Sequence, residues 1–320
     1  MSSNDFRQAQ RDLTKHLHTV EGCESLLGDA YGKVKEAGAT ISKSVANKAV
    51  DVTASALKRA NTELIKLLGT RRLFISHLFS KAKKDERGQI EVTFPKTLLA
   101  KTTRDGNPDD LIPSIDVLIR NVESILKYGK DLEAYYAKEL EILKGITKIK
   151  TTEDAARLVN RLDELQYPTM KLKEQVNSMS QSEWLPGGYA FGFNHDTGLL
   201  TIVDDNEFST TEVEDTLTVA DVKTLLTKLN TLTSLYQDAS KLSDSYVNHL
   251  KTFNTVVVKS FQHLDSLKGE ISTSLLSDLK DRLNGDQLVF SFFVGSLPKV
   301  MVRLDDYVDT LSSYLSKQFN

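Results

Sequence analysis

Cysteine, proline and long apolar runs are what this sequence has least of. One cysteine, Cys23, in 320 residues excludes an internal disulfide framework and any metal site built on several thiolates. It also favours a reducing compartment over secretion. Only six prolines are present, so long helices are permitted. No run of about 20 apolar residues occurs, and no membrane-spanning helix is expected. The start, Met1-Ser-Ser-Asn-Asp-Phe-Arg, lacks the apolar core of a secretory leader. A net charge of −3 predicts no general affinity for nucleic acid or acidic membranes.

What the chain does have is a ladder of apolar residues in steps of three and four. It is cleanest at Leu111, Ile115, Leu118, Val122, Ile125, Gly129, Leu132, Tyr136, Leu140, Leu143 and Ile146. That period marks a helix packed along its whole length against other helices. The same stripe predicts helices over 3–35, 41–84, 218–268 and 287–317, with a shorter one over 272–283. Gly129, an inner position without a side chain, predicts close approach by a neighbour. Thr151-Thr-Glu-Asp154 reads as a helix cap, and the helix it opens is expected to break or kink at Tyr167-Pro168 and resume to about Met179.

Strand signals are few. Ile90-Glu-Val-Thr-Phe94 alternates and predicts a short strand ended by Pro95. After Trp184-Leu-Pro-Gly-Gly188, the alternation of Tyr189, Phe191 and Phe193, a turn at Asn194–Gly198 and the run Leu199–Val203 predict a β-hairpin. Residues 88–94 could supply its third strand. The expected architecture is mainly α: an elongated antiparallel bundle of long helices with one small β-hairpin or three-stranded sheet. Residues 1–183 and 209–320 would be the two halves of one bundle, and 184–208 the hairpin between them.

Catalytic groupings are not apparent. The histidines 16, 18, 77, 195, 249 and 263 are scattered, and no HExxH pattern occurs. Cys23 lies between Glu21 and Glu24, the wrong neighbours for a reactive thiol. Pro186-Gly-Gly188 lacks the Lys-Ser/Thr of a phosphate loop and precedes a strand, so turn chemistry explains it. Asp204-Asp-Asn-Glu207 begins like a calcium loop but has no glycine at the sixth position. The expectation is a protein without enzymatic activity, cofactor or metal.

Charge is unevenly placed. From Lys58 to Arg87 there are nine basic residues, among them Arg71, Arg72, Lys81, Lys83 and Lys84, against three acids. From Asn194 to Asp221 there are eight acids and no lysine or arginine. The plain reading is a solvated surface. The sharper ones are charge-complementary contact between copies, or weak contact of the basic segment with nucleic acid or lipid headgroups. The aromatics Trp184, Tyr189, Phe191 and Phe193 are either core or a docking patch. Leu288-Val-Phe-Ser-Phe-Phe-Val294 is either a buried helix start or a membrane-inserting or partner-binding segment.

The Leu132-Glu-Ala-Tyr-Tyr-Ala-Lys-Glu-Leu140 helix, and Trp184-Leu-Pro-Gly-Gly-Tyr189 followed by the Gly198-Leu-Leu-Thr-Ile202 strand, give the chain a character that resembles virion-internal or capsid-associated proteins of large tailed bacteriophages. The resemblance concerns the general character of the whole chain and carries no functional residue. It implies non-enzymatic assembly, with other structural proteins or further copies as partners, in the virion or in the host cytoplasm before assembly. Long helices beside a β-tongue also resemble α-helical pore-forming toxins, which would imply a membrane-associating bundle. A third reading, a cytosolic helical adaptor or membrane-curving module, rests on the basic helix end alone.

Overall fold

The structure, a computed structural model, describes residues 39–196, 199–204, 210–283, 289 and 291–319. The expected first helix over 3–35, with Cys23, His16 and His18, lies outside the described residues. What is described is mostly helical, with two small antiparallel sheets. The long helices are α1 (Ala39–Lys84), α3 (Leu111–Leu143), α5 (Val219–Ser266) and α7 (Leu297–Lys317). Shorter ones are α2 (Lys96–Thr102), α4 (Thr152–Asp163) and α6 (Thr273–Arg282).

Local chemistry sets several boundaries. Thr151 caps α4 through the Asp154 amide (3.1 Å), and Asp154 returns a bond to the Thr151 amide (3.1 Å). Thr218 and Asp221 repeat this reciprocal box at the start of α5. Each box satisfies two amides that a helix start leaves open. The ladder through α3 is buried from Leu111 to Leu143 and continues to Ile146 in a 3-10 turn at Lys144–Lys148.

Helix α5 packs against α1, α3 and α7. Cross-links give the directions. Asn47 meets Asn254, Asn61 meets Ser240 and Asp244, and Arg72 meets Thr233 and Gln237, so α1 and α5 are antiparallel. Lys228 meets Asp116 and Ser245 meets Glu133, so α3 and α5 run parallel. This corrects the expectation of a wholly antiparallel arrangement. A parallel pair cannot be joined by a tight turn. The chain between them, from Lys144 to Thr218, returns through α4 and both sheets.

The strands also depart from expectation. β1 (Gln89–Phe94) does not join the hairpin; it pairs with β6 (Val213–Thr218), Ile90 opposite Leu217 and Phe94 opposite Val213. The reason is position: β1 follows α1 and β6 precedes α5 at the adjacent ends of that antiparallel pair. The hairpin of β4 (Tyr189–Asn194) and β5 (Leu200–Asp204) lies in a four-stranded sheet with β2 (Glu174–Val176) and β3 (Met179–Gln181). The expected helix over 168–179 is therefore irregular chain and two strands. Helix α2 was not foreseen; Pro95, which ends β1, stands at its start. At the C-terminal side, a π-helical segment at Ser291–Ser296 precedes α7.

Candidate functional site

The sequence places its candidate contact residues on the 58–87 segment and on the hairpin, and the structure separates them by role. Tyr189, Phe191 and Phe193 are buried. Phe193 packs edge-on against Tyr128, which in turn meets Phe292. These three aromatics are core, not a docking patch. Trp184 is half-buried and leads into a turn in which Gly187 and Gly188 have φ of 93° and 74°. Those angles require glycine, which accounts for the Pro-Gly-Gly sequence. The Leu288–Val294 run is likewise core where described: Val289, Phe292, Phe293 and Val294 are buried.

Two arginines of the basic segment bind other helices of the fold. Arg71 is 5% exposed. Its Nε donates to Asp305 Oδ1 at 3.3 Å, and its Nη1 meets Asp309, so it ties α1 to α7. Burial pushes the Asp305 carboxyl above the usual carboxylate range, and the Arg71 charge opposes that shift. The Tyr236 hydroxyl, from α5, is buried without a hydrogen-bond partner among the described residues, and burial raises its pKa well above the ordinary phenol value. Arg72 spreads its guanidinium over α5, donating to Thr233 (3.4 Å), Ser234 (3.2 Å) and Gln237 (3.3 Å).

The remaining cations of that segment are shared between local partners and solvent. Lys66 pairs with Glu63 at 2.6 Å, Lys81 reaches the Phe319 carbonyl at 3.5 Å, and Lys83 lies over the Phe79 ring. Lys84 is exposed. The acidic segment lies close by: β6 carries Glu214 and Asp215 beside β1, which follows the basic end of α1. Asp204 pairs with Arg303 on α7 (3.0 Å). Asp205 and Glu207 lie outside the described residues. Among the described residues, no group of three or more His, Cys, Asp or Glu side chains could hold a metal ion. Among the described residues, no helix is long and apolar enough to cross a membrane.

One surface was missed in the sequence. On the outer face of α1, Thr62, Ile65, Gly69, Leu73, Ser76 and Ser80 are exposed, each three or four residues from the next. They form one stripe along the helix. Leu73 is 75% exposed and Ile65 49%. A methyl group added to Gly69 would meet nothing within 4 Å. The signal was available in outline, since apolar residues at 65 and 73 fall off the inner stripe.

The fold thus defines a mainly α-helical protein with two small antiparallel sheets and an interior closed by ion pairs and aromatic packing. Comparison with protein-family models, characterised proteins and solved structures finds no match to this chain.

Proposed function

We propose that this chain is a non-enzymatic structural protein that works through contacts in an assembly, as an internal or capsid-associated component of a bacteriophage virion. In this reading its long helices act together as an elongated bundle, and its first partner is a second copy of itself. The observation that carries it is the exposed stripe on α1 centred on Gly69.

The stripe is self-complementary. Ile65 and Leu73 lie four residues either side of Gly69, and Thr62 and Ser76 lie seven either side. Two copies of α1 crossing antiparallel at Gly69 would place Ile65 on Leu73 and Thr62 on Ser76, with a bare backbone at the crossing. That is the pattern of an isologous contact. Lys66 and Arg72, which the same symmetry brings near each other, are held by Glu63 and by α5. Their repulsion is thereby reduced.

The test uses the full chain. Analytical ultracentrifugation should show concentration-dependent association that Ile65→Asp and Leu73→Asp abolish while the thermal midpoint is kept. A monomer at every concentration, with no particle containing the chain by mass spectrometry, would sink the reading. The membrane-associating alternative requires the buried Val289, Phe292, Phe293 and Val294 to leave the core. Co-sedimentation with liposomes would support it, and absence from the pellet would remove it.

A further inference from the structure

A cleft at the far end of α5 has a composition that neither the core nor the α1 face explains. It opens between the α3 C-terminus with its 3-10 extension and the C-terminal half of α5, and encloses about 520 Å³. Lys144 and Thr147 line one wall; Lys251, Thr252, Thr255 and Lys259 line the other. Among the described residues that line it there is no carboxylate and no aromatic ring.

The two α5 lysines are uncompensated. Lys251 and Lys259 are exposed, and neither ammonium group has a carboxylate within ion-pair distance among the described residues. They lie eight residues apart, about 12 Å along the helix, with Thr255 midway on the same face. Lys144, across the cleft, is paired with Glu141 one turn earlier on the same helix. Both members of that pair are largely exposed, so the pair is weak and can be exchanged for a stronger anion. Holding three like charges around one concavity, with little internal neutralisation, raises the local concentration of multivalent anions.

We infer that this cleft binds a compact anion bearing two or more phosphate groups, with Lys144, Lys251 and Lys259 as its cationic ligands. A row of charge that runs ~12 Å along the helix, with a third lysine across the cleft, matches an anion that carries several phosphate groups better than a single phosphate. A nucleic-acid strand is disfavoured because no aromatic side chain or arginine lines the cleft to stack on a base. The carbonyl oxygens of the helix already take the threonine hydroxyl protons: Thr147 donates to Lys144 O, Thr252 to Asn248 O and Thr255 to Lys251 O. The lysines therefore supply the attraction, and binding is electrostatic and salt-sensitive.

Isothermal titration of the full chain with sodium tripolyphosphate, at low and at 0.5 M salt, tests this. The expected result is saturable one-site binding at low salt, weakened at least tenfold by Lys251→Gln/Lys259→Gln, with the thermal midpoint of the ligand-free protein kept. Lys58→Gln/Arg59→Gln, on exposed α1 positions, should leave binding unchanged. No binding, or equal loss in both double variants, would overturn the site. Vesicles with phosphatidylinositol bisphosphate distinguish the sources. Lysine-dependent binding to them as well assigns a lipid headgroup, and binding of tripolyphosphate alone assigns a soluble anion. Tighter, lysine-dependent binding of a single-stranded oligonucleotide would overturn the compact-anion assignment.

Discussion

The ring of Phe292 rests on the backbone of Gly129, so closely that a methyl group on that glycine would stand 2.8 Å from Phe292 Cε1 and 3.3 Å from Leu242 Cδ1. The ring cannot easily yield, because Tyr128 and Phe293 hold its two sides. Gly129→Ala should therefore cost about 1–3 kcal/mol by overpacking, less about 1 kcal/mol returned by helix propensity. Gly69→Ala, at an open position in α1, should instead gain about 0.5–1 kcal/mol. Urea denaturation of the two variants checks both signs; a stabilising Gly129→Ala would contradict the packing.

That glycine shows how far periodicity reached. The inner stripe of α3 and its one missing side chain both pointed to a close neighbour, because burial imposes a helical repeat on the residues it uses. Direction was not legible. Nothing in the stripes of 111–146 and 219–267 distinguishes parallel from antiparallel, and the α3–α5 pair proved parallel. Strand pairing failed for the same reason: Ile90–Phe94 signals a strand but not its partner, which lies over a hundred residues away. The basic run at 58–87 is legible as charge, yet Arg71 is buried inside the fold and the half-buried Arg72 lies along α5. Composition cannot tell a buried cation from a solvated one.

Arg71 and Asp305 should depend on each other. Asp305 is 3% exposed, and Arg71→Met would leave its carboxylate without that cation, at a cost of about 3–5 kcal/mol. Adding Asp305→Leu should recover most of the loss, since a buried pair replaced by apolar groups is close to neutral. Denaturation midpoints of the single and double variants give the coupling; strictly additive effects would mean the pair does not interact.

Stability should fall in acid. The Arg87 side chain holds the Asp85 carboxyl down to about 2, the Lys150 amide and Thr151 hold Asp154 low, and Lys280 and Lys268 hold Asp265 low. Burial works against Asp110, but Arg104 and Ser114 outweigh it. The unfolded chain takes up these protons at a higher pH than the folded one does. The stabilisation is therefore complete above the ordinary value of 3.8 and is lost as pH drops towards about 2. Asp305 has the opposite sign: its raised folded value gives a contribution present below 3.8 and lost as pH rises through that raised value. The deficit of Asp305→Asn relative to the native chain should shrink as pH is raised from about 4 to 7. Thermal midpoints across that range decide it, and a deficit that grows with pH would refute the assignment.

The hairpin aromatics should separate into one tolerant position and one intolerant. Phe191 is fully buried, and Phe191→Ala should cost about 3–5 kcal/mol through lost transfer energy and a residual cavity. Leu118, fully buried on the α3 stripe, should tolerate Asp no better, since the carboxylate would enter the core without a partner. Trp184 is only half-buried, so Trp184→Ala should lose less than either. If the four-stranded sheet is an integral part of the core, Phe191→Ala and Leu118→Asp will lower one cooperative transition seen by both far-ultraviolet circular dichroism and tryptophan fluorescence. A Phe191→Ala variant that loses its fluorescence transition early while the helical signal melts unchanged would show instead that the sheet unfolds by itself.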